Sequence, residues 1–381
     1  MKILKLFKIL FYIAIIIIIL IIAVYLFMKT SAFGALPSGK SLEKVKASKN
    51  YVDGEFKNKE STELLTDTKK TPIKRLLEFA FEKDPEGTVP DSELPSIKTD
   101  LKSLEPNEDV MVWFGHSSLF IQIAGKKILV DPVFSKYASP VPFTNKAFDG
   151  TNIYDVDDLP EIDILLITHD HYDHLDYPTI KKLKDKVNKV IVPLGVDAHL
   201  LRWGFDKDKI TTVDWDDEVT IDDNLKFYAL EARHFSGRSF SNRNQSLWVA
   251  YLIEEKLEDK DYKLFLSGDG GYSGRFKEFK ERFGKIDFAA MESGQYNKEW
   301  ALIHSSPEDV VMASQDMEVE NLFPIHNSKF KLSNHTWDDP LKRLDKLTEN
   351  TNLKLLTPMI GEKIYLHKEN SFTKWWENLE K

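Results

Sequence analysis

The stretch IDILLITHDHYDH, residues 162–174, joins a short apolar run directly to a cluster of metal-binding side chains. The apolar part predicts a strand covered on both faces, because it is almost continuously hydrophobic. His169, His171 and Asp173 are spaced by two, so in an extended chain their side chains leave on the same side, and His174 breaks this alternation. Three imidazoles and a carboxylate within six residues predict a site for a borderline metal such as zinc.

Three further candidate ligands follow apolar runs later in the chain. His234 comes after LKFYALEAR, Asp269 lies in the turn SGDGG after YKLFL, and His326 follows NLFPI. Catalytic metals are commonly held by residues from several segments. The alternative interpretations are a loop histidine for His234, a turn aspartate for Asp269 and a half-buried core histidine for His326. Their repeated placement after strands favours one shared metal site.

The composition excludes several other kinds of site. The chain has 381 residues and no cysteine, which rules out disulfide scaffolds, thiolate metal sites and cysteine nucleophiles. It carries 52 Lys and Arg against 61 Asp and Glu, a formal net charge of −9. Because a nucleic-acid binder needs a basic face, this balance argues against a nucleic-acid partner.

Around the motif, short strand-like runs alternate with helical patterns. Strand-like runs include VMVWFG, SLFIQIAG and KKILVDP, and helical patterns include YPTIKKLKDKV, GRFKEFKERFG and PEDVVMASQDM. The polar residues gather where the apolar runs end. This mixture predicts a layered α/β body over residues 105–370.

The N-terminus carries a separate signal. Residues 9–28, ILFYIAIIIIILIIAVYLFM, contain no charge, and a helix of that length spans about 30 Å, the thickness of a bilayer core. A cleaved signal peptide is the alternative, but its apolar region is usually only ~7–15 residues long. Lys2, Lys5 and Lys8 precede the run, which predicts a single-pass cell-membrane protein with a cytoplasmic N-terminus and an extracytoplasmic body.

Three regions follow from these patterns. We expect residues 1–32 to form the membrane anchor, residues 33–104 a juxtamembrane linker and peripheral extension, and residues 105–370 the main domain. Within the second region, Ile73 to Phe81 predicts one short amphipathic helix.

The order of the candidate ligands resembles that of the metallo-β-lactamase superfamily. Within it, the flanking segments resemble the branch that contains N-acylphosphatidylethanolamine-hydrolysing phospholipase D and its bacterial relatives. These segments are WFGHSS (113–118), VDPVFS (130–135), HYDHLD (171–176), GDGGY (268–272), HSSPED (304–309), FGALPSG (33–39) and DGEFKN (53–58).

The resemblance implies a four-layer αββα sandwich and two divalent metal ions, most simply Zn²⁺. It implies that His169, His171 and His234 bind one ion and that Asp173, His174 and His326 bind the other. Asp269 would bridge the ions. Asp173 would also orient the attacking water, and His304 is a candidate for substrate contact or proton donation, with a structural role before the helix at Pro307 as the alternative. Asp131, at a strand end, is a candidate acceptor for a ligand imidazole, with a turn aspartate before Pro132 as the alternative, and His116 is expected to be structural.

The expected function is that of a membrane-anchored, metal-dependent hydrolase of a phospholipid phosphodiester. The alternatives are a lactonase-like or other ester hydrolase acting on a small molecule and, from another class, a non-catalytic membrane-tethered binding protein. Two positions depart from the branch pattern, since Phe235 and Asn327 stand where tryptophans are usual. A flavin-associated di-iron relative is disfavoured, because that branch usually has Glu where His171 stands.

Overall fold

The computed structural model describes residues 2–66, 70, 71, 74, 85–239, 241–377 and 379. Apart from Lys74, the short helix predicted over 73–81 lies outside these described residues.

Two seven-stranded sheets form the body of the protein. The strands of the first sheet are β3 Val110–Trp113, β4 Leu119–Ile123, β5 Lys126–Val130, β6 Ile162–Leu166, β7 Val187–Pro193, β8 Ile210–Val213 and β16 Lys363–Tyr365. Those of the second are β9 Glu218–Thr220, β10 Leu225–Glu231, β11 Val249–Lys256, β12 Asp261–Leu266, β13 Phe288–Glu292, β14 Asn321–Ile325 and β15 Lys354–Leu355.

Each sheet is half antiparallel and half parallel. The first has the order β16-β3-β4-β5-β6-β7-β8, and its pairs are parallel from β5 onward. The second has the order β15-β14-β13-β12-β11-β10-β9, and its pairs are parallel from β12 to β15. The parallel halves need crossover helices, which cover the outer faces.

The helices are α1 Lys2–Phe27, α2 Gly39–Ala47, α3 Tyr177–Leu183, α4 Asp197–Arg202, α5 Arg275–Phe283, α6 Pro307–Asp316 and α7 Asp339–Thr348. Apolar side chains of α3 and α4 pack against the first sheet, and those of α5, α6 and α7 pack against the second. A third apolar cluster fills the space between the sheets. This confirms the predicted four-layer αββα sandwich.

The fold gathers the candidate ligands at one edge. His169 follows β6, His234 follows β10, Asp269 follows β12 and His326 follows β14. The loops at these strand ends lie side by side because the strands are neighbours in two packed sheets.

Helix α1 precedes this body, and its apolar side chains are exposed; at its end the Phe27 ring contacts that of Phe33. The span Ile3–Phe27 has a mean hydropathy of 3.3 and is long and apolar enough to cross a membrane. The predicted apolar helix is therefore present, and it starts earlier than residue 9 because Lys2, Lys5 and Lys8 continue the same helix.

The extension after α1 lies on the surface of the sandwich. A hairpin of β1 Tyr51–Val52 and β2 Glu55–Phe56 follows α2, and Val45 and Phe56 are fully buried in the cluster between the sheets. Asn58 then reaches the site, where its side chain bonds to the backbone N–H and C=O of His234.

The division of the chain into an anchor, an extension and a main domain stays a prediction.

Candidate metal centre and active site

One group of candidate ligands combines three imidazoles with a carboxylate. His171 Nδ1 lies 3.0 Å from His169 Nε2 and 3.2 Å from His234 Nε2. Asp269 Oδ2 lies 3.7 Å from the Nε2 atoms of both His169 and His234. These four side chains converge closely enough to hold one cation.

The second group lies on the other side of Asp269. Its Oδ1 atom is 3.1 Å from His174 Nε2 and 3.2 Å from His326 Nδ1. Asp173 Oδ2 lies 3.6 Å from His174 Nε2. All seven residues predicted as ligands thus come together, and Asp269 faces both groups.

Several polar atoms of the cluster are buried without a hydrogen-bond partner. Among the described residues these include Nε2 of His174, Nε2 of His326 and Oδ1 of Asp269. His174 Nε2 and Asp269 Oδ1 are close, but they are not aligned as a hydrogen bond. Leaving such groups unpaired costs about 1–3 kcal/mol each, so a bound cation fits this donor set.

The charge states of three ligand imidazoles suit cations. Burial lowers the pKa of His169, His234 and His326 well below the usual value, which favours the neutral imidazoles that metals require. His174 differs, because the effect of burial is outweighed by Asp269 and Asp173, which raise its pKa well above the usual value. Burial opposes ionisation of Asp269, but the imidazoles of His174 and His326 hold its pKa well below the usual range.

Outer contacts fix the orientation of the ligand rings. Asp131 Oδ2 lies 2.8 Å from His174 Nδ1, and the carboxylate also accepts the backbone N–H of Thr168. The C=O of Ile303 lies 2.9 Å from His234 Nδ1, which turns Nε2 of that ring into the site. Asp131 therefore contacts the imidazole of a candidate metal ligand, as expected from the sequence.

His116 has a part in the site that the sequence did not reveal. Its Nε2 lies 2.9 Å from Asp173 Oδ2, and its ring packs 4.0 Å from that of His326. His116 and His326 both have positive φ, 54° and 66°. The His326 N–H donates to the C=O of His116, and the His116 N–H donates to the C=O of Asn327. Such strain persists only where surrounding contacts hold it, so the two segments brace one another.

His304 lies beside the cluster, held by a carboxylate. Its Nδ1 is 2.8 Å from Glu292 Oε2, and the other oxygen of Glu292 accepts the Ser305 N–H at 2.5 Å. Burial acts to lower the pKa of His304, but Glu292 more than offsets this and raises that pKa to about 9. Glu292 was another residue missed in the sequence, although it ends a strand as the ligands do.

A pocket opens over these groups. Its floor includes His171, Asp173, Asp269, His304 and His326. Its wall is mainly apolar, and Arg243 is the one arginine or lysine among the residues that line it. The wall residues are Leu64, Leu65, Phe235, Gln295, Trp300, Ile303 and Leu332.

Phe235 and Asn327, which stand where the branch usually has tryptophans, lie in different parts of the structure. Phe235 lines the pocket, and its ring centroid is 4.4 Å from that of His171. The Asn327 side chain instead donates to the C=O groups of Pro324 and Ile325 and is buried. Only Phe235 therefore changes the surface that meets a substrate.

Comparison with known proteins agrees with this geometry. Residues 126–327 match the family model of the beta-lactamase superfamily domain. The uncharacterized protein Rv0906 of Mycobacterium tuberculosis is 30% identical over 333 residues, which cover 86% of this chain and 87% of that protein. The mitochondrial N-acyl-phosphatidylethanolamine-hydrolyzing phospholipase D of Saccharomyces cerevisiae is 32% identical over 250 residues, 62% of this chain and 51% of the yeast protein. The metallo hydrolase Igni18 of Ignicoccus hospitalis shares the fold, with a TM-score of 0.51 at 17% identity over 68% of this chain and 98% of Igni18.

An αββα sandwich with histidines and aspartates clustered at one edge defines a metal-dependent hydrolase. The chain belongs to the beta-lactamase superfamily, since its family model matches more than half of the sequence. Divalent metal ions accompany this fold.

The contact between Asp131 and His174 leads to a first prediction. Asp131→Asn removes the charged acceptor of the His174 ring, so metal binding by the group that contains His174 should weaken about 10–100-fold, while binding by the group around His171 should change less. Competition with a chromophoric chelator measures both affinities. Asp163→Asn, the same change near the start of β6 and at the opposite end of that strand from the ligands, is the matched control. Equal affinities in Asp131→Asn and the unchanged chain would contradict the role given to Asp131.

Proposed function

We propose that the chain is a membrane-anchored, dinuclear metal-dependent phosphodiesterase that acts on a phospholipid. The observation that carries the proposal is a cluster of seven candidate ligands, four of which line the floor of a pocket whose wall is mainly apolar. Helix α1 would hold the enzyme in the membrane where such substrates occur. The yeast relative named above supports the choice of substrate.

His169, His171, His234 and Asp269 would hold one ion, and Asp173, His174, His326 and Asp269 the other. When bound, two divalent cations, proposed to be Zn²⁺, would activate water and stabilise negative charge that develops on the substrate. The zinc assignment rests on the His and carboxylate donors.

The chain's own residues position the reactants. His116 holds Asp173 at one oxygen, so the other oxygen of Asp173 is available to orient an attacking water. Glu292 engages Nδ1 of His304, which leaves Nε2 as the ring nitrogen that can donate a proton to the leaving oxygen. Arg243 at the pocket wall would pair with a phosphate oxygen.

The pocket wall would take the apolar part of the substrate. Leu64 and Leu65 come from the extension, which is tied down when Thr66 N–H donates to the C=O of Glu299 at 2.7 Å. Trp300 and Ile303 lie on the same wall. These side chains favour a lipid over a wholly polar phosphodiester.

The test is hydrolysis in detergent micelles by the full chain. We expect phosphatidic acid to be released from an N-acylated or ordinary phosphatidylethanolamine. Leu65→Ser should lower kcat/KM for the lipid about 5–10-fold, because it removes ~1–1.5 kcal/mol of apolar contact. It should leave hydrolysis of bis(p-nitrophenyl) phosphate unchanged, and Leu257→Ser, at an exposed leucine outside the pocket, should change neither. A metal-loaded chain that ignores these lipids would overturn the lipid assignment.

A lactonase-like or other ester hydrolase is the second candidate. Phe235 in the pocket favours it, because the branch usually has tryptophan there and the contacts with substrate differ accordingly. Opening of acyl lactones by a chain inactive on phospholipids would support this alternative.

We infer that the catalytic body lies outside the cytoplasm. Lys2, Lys5 and Lys8 at the start of α1 favour a cytoplasmic N-terminus. Protease added to the outer face of intact cells should then digest the body, whereas full protection until lysis would reverse the orientation.

A further inference from the structure

A loop at residues 139–145 presents apolar side chains to solvent. Phe143 is 87% exposed and Val141 is 44% exposed. Phe143 also has a φ of 78°, a conformation that a bulky residue rarely adopts. The loop thus holds an aromatic ring outward at a cost in backbone strain.

Hydrogen bonds within the loop keep this shape. Thr144 Oγ1 donates to Ser139 Oγ at 2.7 Å or to the C=O of Val141 at 2.8 Å, and the Ala138 N–H donates to the C=O of Asn145 at 3.0 Å. These hydrogen bonds therefore close the base of the loop and fix the position of its tip.

The end of α1 is tied to the same domain without a free spacer. Trp203 Nε1 donates to the C=O of Ser31 at 2.8 Å, and Arg202 donates to the C=O groups of Lys29 and Gly34. Arg238 donates to the C=O of Ala32 at 2.7 Å. These bonds hold the chain within the first seven residues after α1, from Lys29 to Gly34, so one face of the domain lies near the helix end.

The exposed loop belongs to that face. A cleft of about 410 Å³ is lined by Ala32 from the segment after α1 and by Pro140 and Pro142 from the loop. Tyr172, which stands between two of the proposed metal ligands, lines the same cleft. The helix end, the loop and the metal-binding motif are therefore neighbours.

We propose that the loop 139–145 docks into the surface of the bilayer that holds α1, with Phe143 inserted among the lipid headgroups and upper acyl chains. This rests on the membrane anchor of the proposed function. A helix of 26 residues is about 39 Å long, so its end emerges at headgroup level, beside the loop. Lys136 at the base of the loop and Lys29 after the helix can pair with lipid phosphates at headgroup level.

The lipid surface is favoured over a protein partner by this geometry. The segment after the helix and the loop line one cleft, and an exposed aromatic ring with basic residues nearby is a composition found at membrane interfaces. Docking would give the domain a second attachment and hold the cleft beside Tyr172 against the lipid.

The absence of cysteine allows a direct test with the full chain. Phe143→Cys, Ile18→Cys and Leu257→Cys are each labelled with a nitrobenzoxadiazole probe and placed in phosphatidylcholine vesicles containing 30% phosphatidylglycerol. Ile18 lies within α1, and Leu257 is an exposed leucine, 37% accessible, in the turn between β11 and β12. Brominated lipids then report which probes enter the bilayer.

We expect a blue shift and at least a twofold loss of emission at positions 143 and 18, and neither effect at 257. A quenched probe at 18 with an unquenched probe at 143 would overturn the docking proposal and leave the anchor intact. Unquenched probes at both positions would overturn docking and anchor together. A blue shift at 143 that depends on protein concentration and not on brominated lipid would indicate contact between copies, and would also overturn lipid docking.

Discussion

Asp269→Asn is expected to lower hydrolysis about 10²–10³-fold and to deplete both metal ions. The reason is that, among the described residues of the cluster, Asp269 is the side chain that faces both groups. Its Oδ1 lies 3.1 Å from His174 Nε2, and its Oδ2 lies 3.7 Å from His169 Nε2. An amide at this position has one oxygen and no charge, so neither group keeps its full donor set.

His234→Gln is the informative comparison, because His234 belongs to one group alone. It should weaken one ion while the other stays bound. Elemental analysis of the purified variants and hydrolysis of bis(p-nitrophenyl) phosphate measure both effects. An Asp269→Asn protein that keeps two ions and most of its activity would contradict the bridging role.

The second large effect is expected at Arg238. This side chain is 2% exposed and joins three carbonyl groups: those of Asp170 and Leu175, at either end of the ligand loop, and that of Ala32 after α1. Its guanidinium also lies 4.0 Å over the ring of Tyr172. Arg238→Met should lower the free energy of unfolding by about 3–5 kcal/mol, because it leaves buried carbonyls without donors.

Denaturation and metal affinity, measured on the same variant, test whether Arg238 supports the ligand loop. In Arg238→Met, metal affinity should fall together with stability, since the loop between residues 170 and 175 loses its brace. Arg282→Met, at an exposed arginine on α5, is the control and should change the free energy of unfolding by less than about 0.5 kcal/mol. An Arg238→Met protein with unchanged denaturation and unchanged metal affinity would show that the brace is dispensable.

The fold was predictable because its strongest signals are local. The apolar run at 162–168 predicted a doubly covered strand, and it forms β6. The patterns around Arg275–Phe283 and Pro307–Asp316 predicted helices, which are α5 and α6. Helix α4 at Asp197–Arg202 was missed, because six residues are too few to show a helical period.

The ligand cluster was predictable for a related reason. Each candidate stands where an apolar strand ends, and neighbouring strands bring such ends together. The same rule, applied to FAAME, would have found Glu292, the carboxylate that holds His304. The role of His116 was harder to predict from the sequence, because its contact with Asp173 depends on a turn with positive φ.

The pocket wall could not be predicted, because it depends on distant contacts. Leu64 and Leu65 reach the site only because the preceding extension packs on the sandwich through Val45 and Phe56. Arg238 likewise meets Ala32 across more than two hundred residues of sequence. No local pattern marks either contact.

The metal content of the purified full chain, measured by elemental analysis beside its hydrolytic activity, decides whether this cluster is a dinuclear catalytic site. We expect about two divalent ions per chain, most simply zinc, with activity lost on chelation and restored when the ions return. A folded protein that binds no ions after gentle purification and metal supplementation, or whose hydrolysis is unaffected by their removal, would contradict the assignment.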